Sequence, residues 1–158
     1  IAYVYEKEVL NRTNQNGAAI SIQQAIFSGN AQKLQALLED FMLHSISSMD
    51  GANEGFYHGM MLGLCAVLGN RYQVRSNRES GLGRFDIQLA PQIGGIPGFL
   101  FEFKHTADPR ADLDSLADRA LRQIEEKKYD TELRNAGVQS IIKIGIAFRG
   151  KNAVVKRK

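Results

Sequence analysis

The stretch from Gly83 to Lys104, GRFDIQLAPQIGGIPGFLFEFK, decides the fold. It reads as two strand-forming runs, Arg84 to Ala90 and Phe99 to Lys104, separated by the turn-rich Gly94-Gly95-Ile96-Pro97-Gly98. Side chains alternate along a strand, so Leu100, Glu102 and Lys104 share one face while Phe99, Phe101 and Phe103 face the core. In the first run Arg84, Asp86 and Gln88 share a face and Phe85, Ile87 and Leu89 oppose them. Pairing the runs brings Asp86, sixteen residues before Glu102 (102 − 86 = 16), beside Glu102 and Lys104.

Working outward, Tyr72 to Ser76 supplies a third strand ahead of this pair, and the spacing suits an antiparallel meander. Apolar residues at helical spacing predict a helix from the cap Asn30 through Leu34, Leu38 and Met42, and another from about Asn53 to Leu68. Asp108-Pro109 reads as a capping acid followed by proline at the first helical position, opening a helix whose apolar face carries Leu113, Leu116, Ala117, Ala120, Leu121 and Ile124. Ile141 to Phe148 is rich in β-branched residues and reads as a buried strand, with Asn152 to Lys156 as a short edge strand. Residues 1–28 show little sustained period and read as a lead-in of short elements. The order is helix, three strands, helix, strand, preceded by at least one more helix. That order predicts an α/β domain with a mixed sheet: an antiparallel meander, then a further strand after a crossover helix.

A chain of 158 residues fits one domain with a real core, since folds of this size bury roughly 70% of the surface their unfolded chains expose. Hydrophobic content of 44% and charged content of 23% exclude disordered and fibrous classes. The net charge of +3 is compatible with a phosphate-bearing partner and equally with none. The single cysteine, Cys65, sits in an apolar run and reads as a buried thiol in a reducing compartment. No stretch approaches the ~20 apolar residues needed to cross a bilayer, and no signal-peptide pattern opens the chain, so the expectation is a cytoplasmic protein. Opening on Ile1 and a polar segment, the chain reads as a piece of a longer protein.

Two carboxylates held within a few Å repel each other unless a cation or proton neutralises them, which makes a hard divalent ion, Mg2+ or else Mn2+, a natural occupant beside Asp86 and Glu102. Such an ion polarises a phosphate oxygen and acidifies bound water, and the adjacent Lys104 can orient that water or stabilise charge developing on the phosphate. The competing reading is a solvated sheet face on which Lys104 simply bridges Asp86 and Glu102. Gly81 and Gly83 are followed by no lysine-serine or lysine-threonine pair, which excludes a nucleotide-binding P-loop in this stretch.

Asp86 and Glu102-x-Lys104 on this plan of helices and strands resemble the PD-(D/E)XK nuclease superfamily. With Glu54-x-x-Tyr57-His58, Glu79-Ser80-Gly81-Leu82-Gly83-Arg84-Phe85-Asp86, Gln123-Ile124 and Tyr129, the chain is similar to the nuclease-like domain found C-terminal to an AAA-ATPase-like domain in bacterial proteins. The resemblance spans about residues 52 to 149 and leaves 1–51 as a flanking segment, with the nuclease-like domain over 52–158. It implies a restriction-endonuclease-like core and a metal-dependent nuclease acting on nucleic acid, with DNA the first choice. A catalytically silent module that binds nucleic acid or a partner ATPase domain is the alternative.

The resemblance further implies that Asp86 and Glu102 are metal ligands, that the Phe103 carbonyl adds a third, and that Lys104 is the catalytic lysine. Glu54 would complete the metal site, or is a helix-start carboxylate. His58, one turn beyond Glu54, is placed to contact a phosphate or to hydrogen-bond Glu54. Gln123 borders an apolar stripe, where a long amide orients Lys104, water or a nucleobase, or is an ordinary boundary residue. Arg84 binds phosphate or pairs with a carboxylate, and Tyr129 stacks on a base or caps helix packing. Arg119, Arg122, Lys127, Lys128, Lys151, Lys156, Arg157 and Lys158 line a nucleic-acid path or form a solvated face and tail.

Overall fold

The computed structural model describes residues 17–46, 53–66, 70–81 and 83–158, and within these the side chains of Glu54, residues 77–80, Arg84 and Phe85 lie outside the description. The chain is helical over 17–28 (α1), then forms α2 (Ala31–Ser45), α3 (Glu54–Cys65), β1 (Tyr72–Ser80), β2 (Gly83–Pro91), β3 (Gly98–His105), α4 (Leu113–Glu126), α5 (Thr131–Asn135), β4 (Ile141–Arg149) and β5 (Asn152–Arg157). The boundary expected at residues 51 and 52 falls outside the described residues.

Five strands lie in the order β1-β2-β3-β4-β5, with β3 and β4 parallel and every other neighbouring pair antiparallel. The β1-β2-β3 meander is therefore as expected, and α4 makes the crossover that a parallel β3-β4 pair requires. Helices cover both faces of this mixed sheet, an α/β architecture consistent with a restriction-endonuclease-like core.

Strand alternation sorts the two faces. Phe99, Phe101 and Phe103 join Ile87, Leu89, Ile146 and Phe148 in the main core, closed by Ile22 and Ile26 of α1, Leu34, Leu38 and Met42 of α2, and Tyr57 and Met61 of α3. On the other face Leu100 packs with Ile124 of α4, Tyr129 and Leu133, while Ala117 packs on Ala147. Because α4 lies over it, the face carrying Gln88, Leu100 and Glu102 is buried, which overturns the reading of a solvated sheet face.

Two local expectations are corrected. The segment 17–28 is a single helix rather than short elements: the described residues begin at Gly17, past the run of asparagines, and Ile22, Ala25 and Ile26 form a buried stripe. Gly29 at φ +65 ends it and Asn30 caps α2, its side chain accepting from the Lys33 amide at 3.0 Å. The crossover helix starts at Leu113, not after Asp108. Asp108 closes an Asx turn onto the Arg110 amide (2.9 Å), and Asp112 is the cap, accepting from the Asp114 amide (3.0 Å) and the Ser115 hydroxyl (2.9 Å). Among the described residues no helix is long and apolar enough to cross a membrane.

Candidate active site

The site begins where the sheet forks. The β2-β3 ladder runs from Leu89 opposite Phe99 to Ile87 opposite Phe101, and the next positions in that register are Asp86 and Glu102. There the strands part: β2 stays paired with β1 as far as Gly83, and β3 stays paired with β4 as far as His105. Across the fork the Phe103 amide donates to Asp86 Oδ2 at 2.7 Å, so the Asp86 side chain replaces a backbone acceptor that the departing strand no longer offers.

The hairpin arm of the fork rests on the turn after α4. Gly81 sits at φ +60 with its α-carbon pressed against that turn, where a Cβ would lie 2.2 Å from the Lys128 carbonyl oxygen, so only glycine fits. A Cβ on Gly83 would lie 3.3 Å from the Tyr129 ring. Farther along, Arg75 of β1 donates to Gln88 of β2 (3.0 Å) and to Glu132 of α5 (2.9 Å), tying the hairpin to the α4 side of the sheet.

Glu102, only 5% exposed, meets Gln123 of α4, whose Nε2 donates to Glu102 Oε1 at 2.8 Å and to the Tyr129 hydroxyl at 3.1 Å. Lys104 Nζ donates to Gln123 Oε1 at 2.6 Å and lies 4.0 Å from Glu102 Oε1. An ammonium can only donate and a carboxylate can only accept, so the two partners together fix which end of the Gln123 amide faces which. Tyr129 is buried in the α4-side cluster, as a packing role requires. Burial pushes its phenol above the ordinary tyrosine range; the Gln123 hydrogen bond works against this, and the charges of Glu102 and then Asp86 add to the rise. Both carboxylates thus act on one point under the fork.

α4 can come this close because of Gly145, the β4 residue opposite Glu102: a Cβ there would lie 2.6 Å from the Ala117 carbonyl oxygen and 3.0 Å from the Leu121 nitrogen. Nothing in the motif pattern marks Gly145, although a glycine inside the apolar run of Ile141 to Phe148 is a signal of close backbone approach.

On the opposite side α3 contributes His58. Its Nε2 is 2.6 Å from the Ser76 hydroxyl of β1, and its Nδ1 faces Asp86 Oδ1 at 3.9 Å. The structure therefore brings together Asp86, Glu102, Lys104, Gln123, Tyr129 and His58, and it adds Ser76, which no motif singled out. Glu54 opens α3 one turn before His58, and the side chains of Glu54 and Arg84 lie outside the described residues. Of the basic residues, Lys156 pairs with Asp114 (3.1 Å) and Lys158 with Glu125 (3.1 Å), while Arg119, Arg122, Lys127 and Lys128 are exposed.

The sequence profile of the PD-(D/E)XK nuclease superfamily matches residues 52–158. The chain belongs to the PD-(D/E)XK nuclease superfamily. A comparison with curated proteins found no match. Members of the superfamily are generally nucleases and typically use divalent metals. Residues of α1 and α2, outside the matched span, nonetheless form one wall of the core beneath its sheet.

The donor chemistry at the fork suits such an ion. Asp86 and Glu102 are hard oxygen donors with a single imidazole nearby, whereas Cys65 is buried in the core. Among the described residues no group of three or more His, Cys, Asp or Glu side chains is arranged to hold a metal.

Proposed function

We propose that the protein is a Mg2+- or Mn2+-dependent nuclease that hydrolyses phosphodiester bonds in nucleic acid, with DNA as the substrate. The observation that carries this reading is the linked set Asp86, Glu102, Lys104 and Gln123 at the fork, together with superfamily membership. Asp86, Glu102 and the Phe103 carbonyl would hold the ion, with Glu54 completing its shell. When bound, the ion supplies Lewis-acid polarisation of the phosphate and a more acidic water. Lys104 lies beside Glu102 with its ammonium steered by Gln123, poised to orient the water and to offset charge developing on the phosphate oxygens. Gln123 is a positioning residue for Lys104 and Glu102. His58 and Arg84 would stand on the nucleic-acid side, whereas Tyr129, buried with its hydroxyl accepting from Gln123, supports that amide from beneath and offers no face to a base.

One observation favours a second reading, a nuclease-fold module that binds nucleic acid or a companion ATPase-like domain without cutting. Glu102 Oε1 and Lys104 Nζ are both engaged by Gln123, so the site is closed on itself. Incubating the protein with plasmid DNA and with RNA in Mg2+ or Mn2+ separates the two. Metal-dependent cleavage lost in Glu102→Ala and Lys104→Ala is expected. Cleavage surviving both substitutions would remove this site from the reaction, and metal-loaded protein that binds DNA and leaves it intact would favour the binding module.

A further inference from the structure

Beyond the C-terminal ends of β3 and β4 lies a pocket of about 470 Å³, lined by Tyr57, His105, Thr106, Arg149, Lys151 and Asn152 among others, with no carboxylate in its lining. It is a built site. Its floor is the Tyr57 ring, stacked on Phe148 at 4.4 Å between centroids and fixed by a hydrogen bond from its hydroxyl to the Gly150 carbonyl (3.0 Å). One wall, the chain leaving β3, is pinned by the Thr106 amide to the Phe148 carbonyl (2.9 Å) and by Arg149 Nη1, which donates to the carbonyls of Asp108 (3.1 Å) and Ala111 (2.6 Å). The other wall is the β4-β5 turn, where Lys151 Nζ donates to the Ile46 carbonyl at 2.5 Å.

These contacts orient Arg149 and Lys151 through neutral carbonyls. Like Arg119, Arg122, Lys127 and Lys128, Arg149 and Lys151 have no acidic partner among the described residues, but unlike those exposed side chains they are half-buried and held in place by backbone carbonyls. Asp108, which directly follows the lining residue Ala107, accepts from the Arg110 amide through Oδ1 and is not among the lining residues. Two cations lining one concave site that has no acid in its lining attract an anion, and guanidinium and ammonium groups both suit phosphate oxygens. His105 directly follows Lys104 on β3 and turns to the opposite, α3 face of the sheet against Tyr57, so the pocket lies past the end of the strand that carries Glu102 and Lys104.

We propose that this pocket is a phosphate subsite that takes an internal backbone phosphate of the nucleic-acid strand beside the bond at the fork. The assignment rests on the nuclease reading for its ligand and names a second contact point that the Asp86–Lys104 set does not supply.

The test is anisotropy of a dye-labelled DNA duplex, with and without a 5′-phosphate, titrated with the full chain in chelator over a range of salt. Ala107, an exposed lining residue whose side chain carries no polar group, is replaced as Ala107→Asp to place a carboxylate in the pocket, with Ala107→Ser as the neutral control. Asn152→Asp against Asn152→Ser repeats the comparison independently of how Ala107→Asp folds. We expect both aspartate variants to bind about 5- to 10-fold more weakly at low salt, with a salt slope shallower by about one, and both serine controls to match the parent. Equal affinity and slope in the aspartate variants would overturn the subsite and leave the nuclease reading standing. A loss confined to the 5′-phosphorylated duplex would overturn the internal assignment in favour of a terminal phosphate. No binding by the parent at any salt would overturn both readings together.

Discussion

The Phe103 amide donates to the Asp86 carboxylate at the point where β2 and β3 stop pairing, so one side chain both closes the sheet and meets His58 of α3. These roles separate by substitution. Asp86→Asn keeps an acceptor for the amide and removes the charge, and stability should change by less than about 1 kcal/mol. Cleavage should fall at least about a hundredfold, because metal polarisation is worth several kcal/mol and each ~1.4 kcal/mol is a factor of ten. Asp86→Ala should add a stability loss of about 1–3 kcal/mol from the stranded amide. Urea unfolding and single-turnover cleavage measure the two effects, and equal stability of the Asn and Ala variants would deny Asp86 its structural share.

Gln123 holds Lys104 and Glu102 at opposite ends of one amide. Gln123→Leu fills similar volume but releases both, so kcat should drop about 10- to 100-fold, as supporting hydrogen bonds around a metal site typically contribute. DNA affinity in chelator should stay within about twofold of the parent, which is the readout that separates positioning from binding. If Gln123→Leu and the parent cleave at the same rate, the Lys104 ammonium is placed by something other than this amide.

The fold was legible wherever periodicity was strong. The cap Asn30, the helix start near Asn53, the alternation of Phe99, Phe101 and Phe103, and the apolar stripe of α4 all translate directly into structure. Alternation and register place Asp86, Glu102 and Lys104 together, whereas Gln123 stood as an open reading at the border of the α4 stripe until the packed helix set it between Glu102 and Lys104. What escaped depends on approach between distant elements. Gly145 looks like an unremarkable strand residue until α4 is laid on it, and Ser76 acquires a role only when α3 brings His58 across β1. The false start at Asp108-Pro109 arose because a capping acid and an Asx turn use the same side-chain chemistry, and Asp112 four residues on wins the cap.

Gly145 makes a separable prediction. A methyl group there would meet the Ala117 carbonyl and the Leu121 amide nitrogen, both backbone, so Gly145→Ala must push α4 off the sheet. Overpacking of this kind costs about 1–3 kcal/mol. Since α4 carries Gln123, cleavage measured well below the melting temperature should fall even where the variant is fully folded. Thermal melts with rates on the folded fraction check both parts. A variant that is destabilised yet fully active would show that the Gln123 contacts tolerate the shift.

Buried tyrosines, together with the Cys65 thiol that burial pushes up to about 12, make the fold lose stability in alkali. Burial raises the phenols of Tyr57, Tyr72 and Tyr129 above the ordinary value near 10, opposed by the Gly150 hydrogen bond at Tyr57 and by the Arg71 charge at Tyr72. Each folded-state pKa therefore lies above its unfolded value, so the folded chain holds protons that the unfolded chain releases. Their contribution is fully present below about pH 10 and is lost as pH rises through the folded values. Lys156, raised by its hydrogen bond to Asp114 and by the charge of Asp118, acts in the same direction. Unfolding free energy should thus be flat with respect to the tyrosines and Lys156 from pH 7 to 9 and decline above about 10. Tyr72→Phe, which also gives up the 2.7 Å bond to the Pro97 carbonyl, should lower stability by about 0.5–1.5 kcal/mol at neutral pH and make the alkaline decline shallower. An alkaline limb of unchanged steepness in Tyr72→Phe and Tyr57→Phe would assign that limb to Cys65 and Lys156 instead.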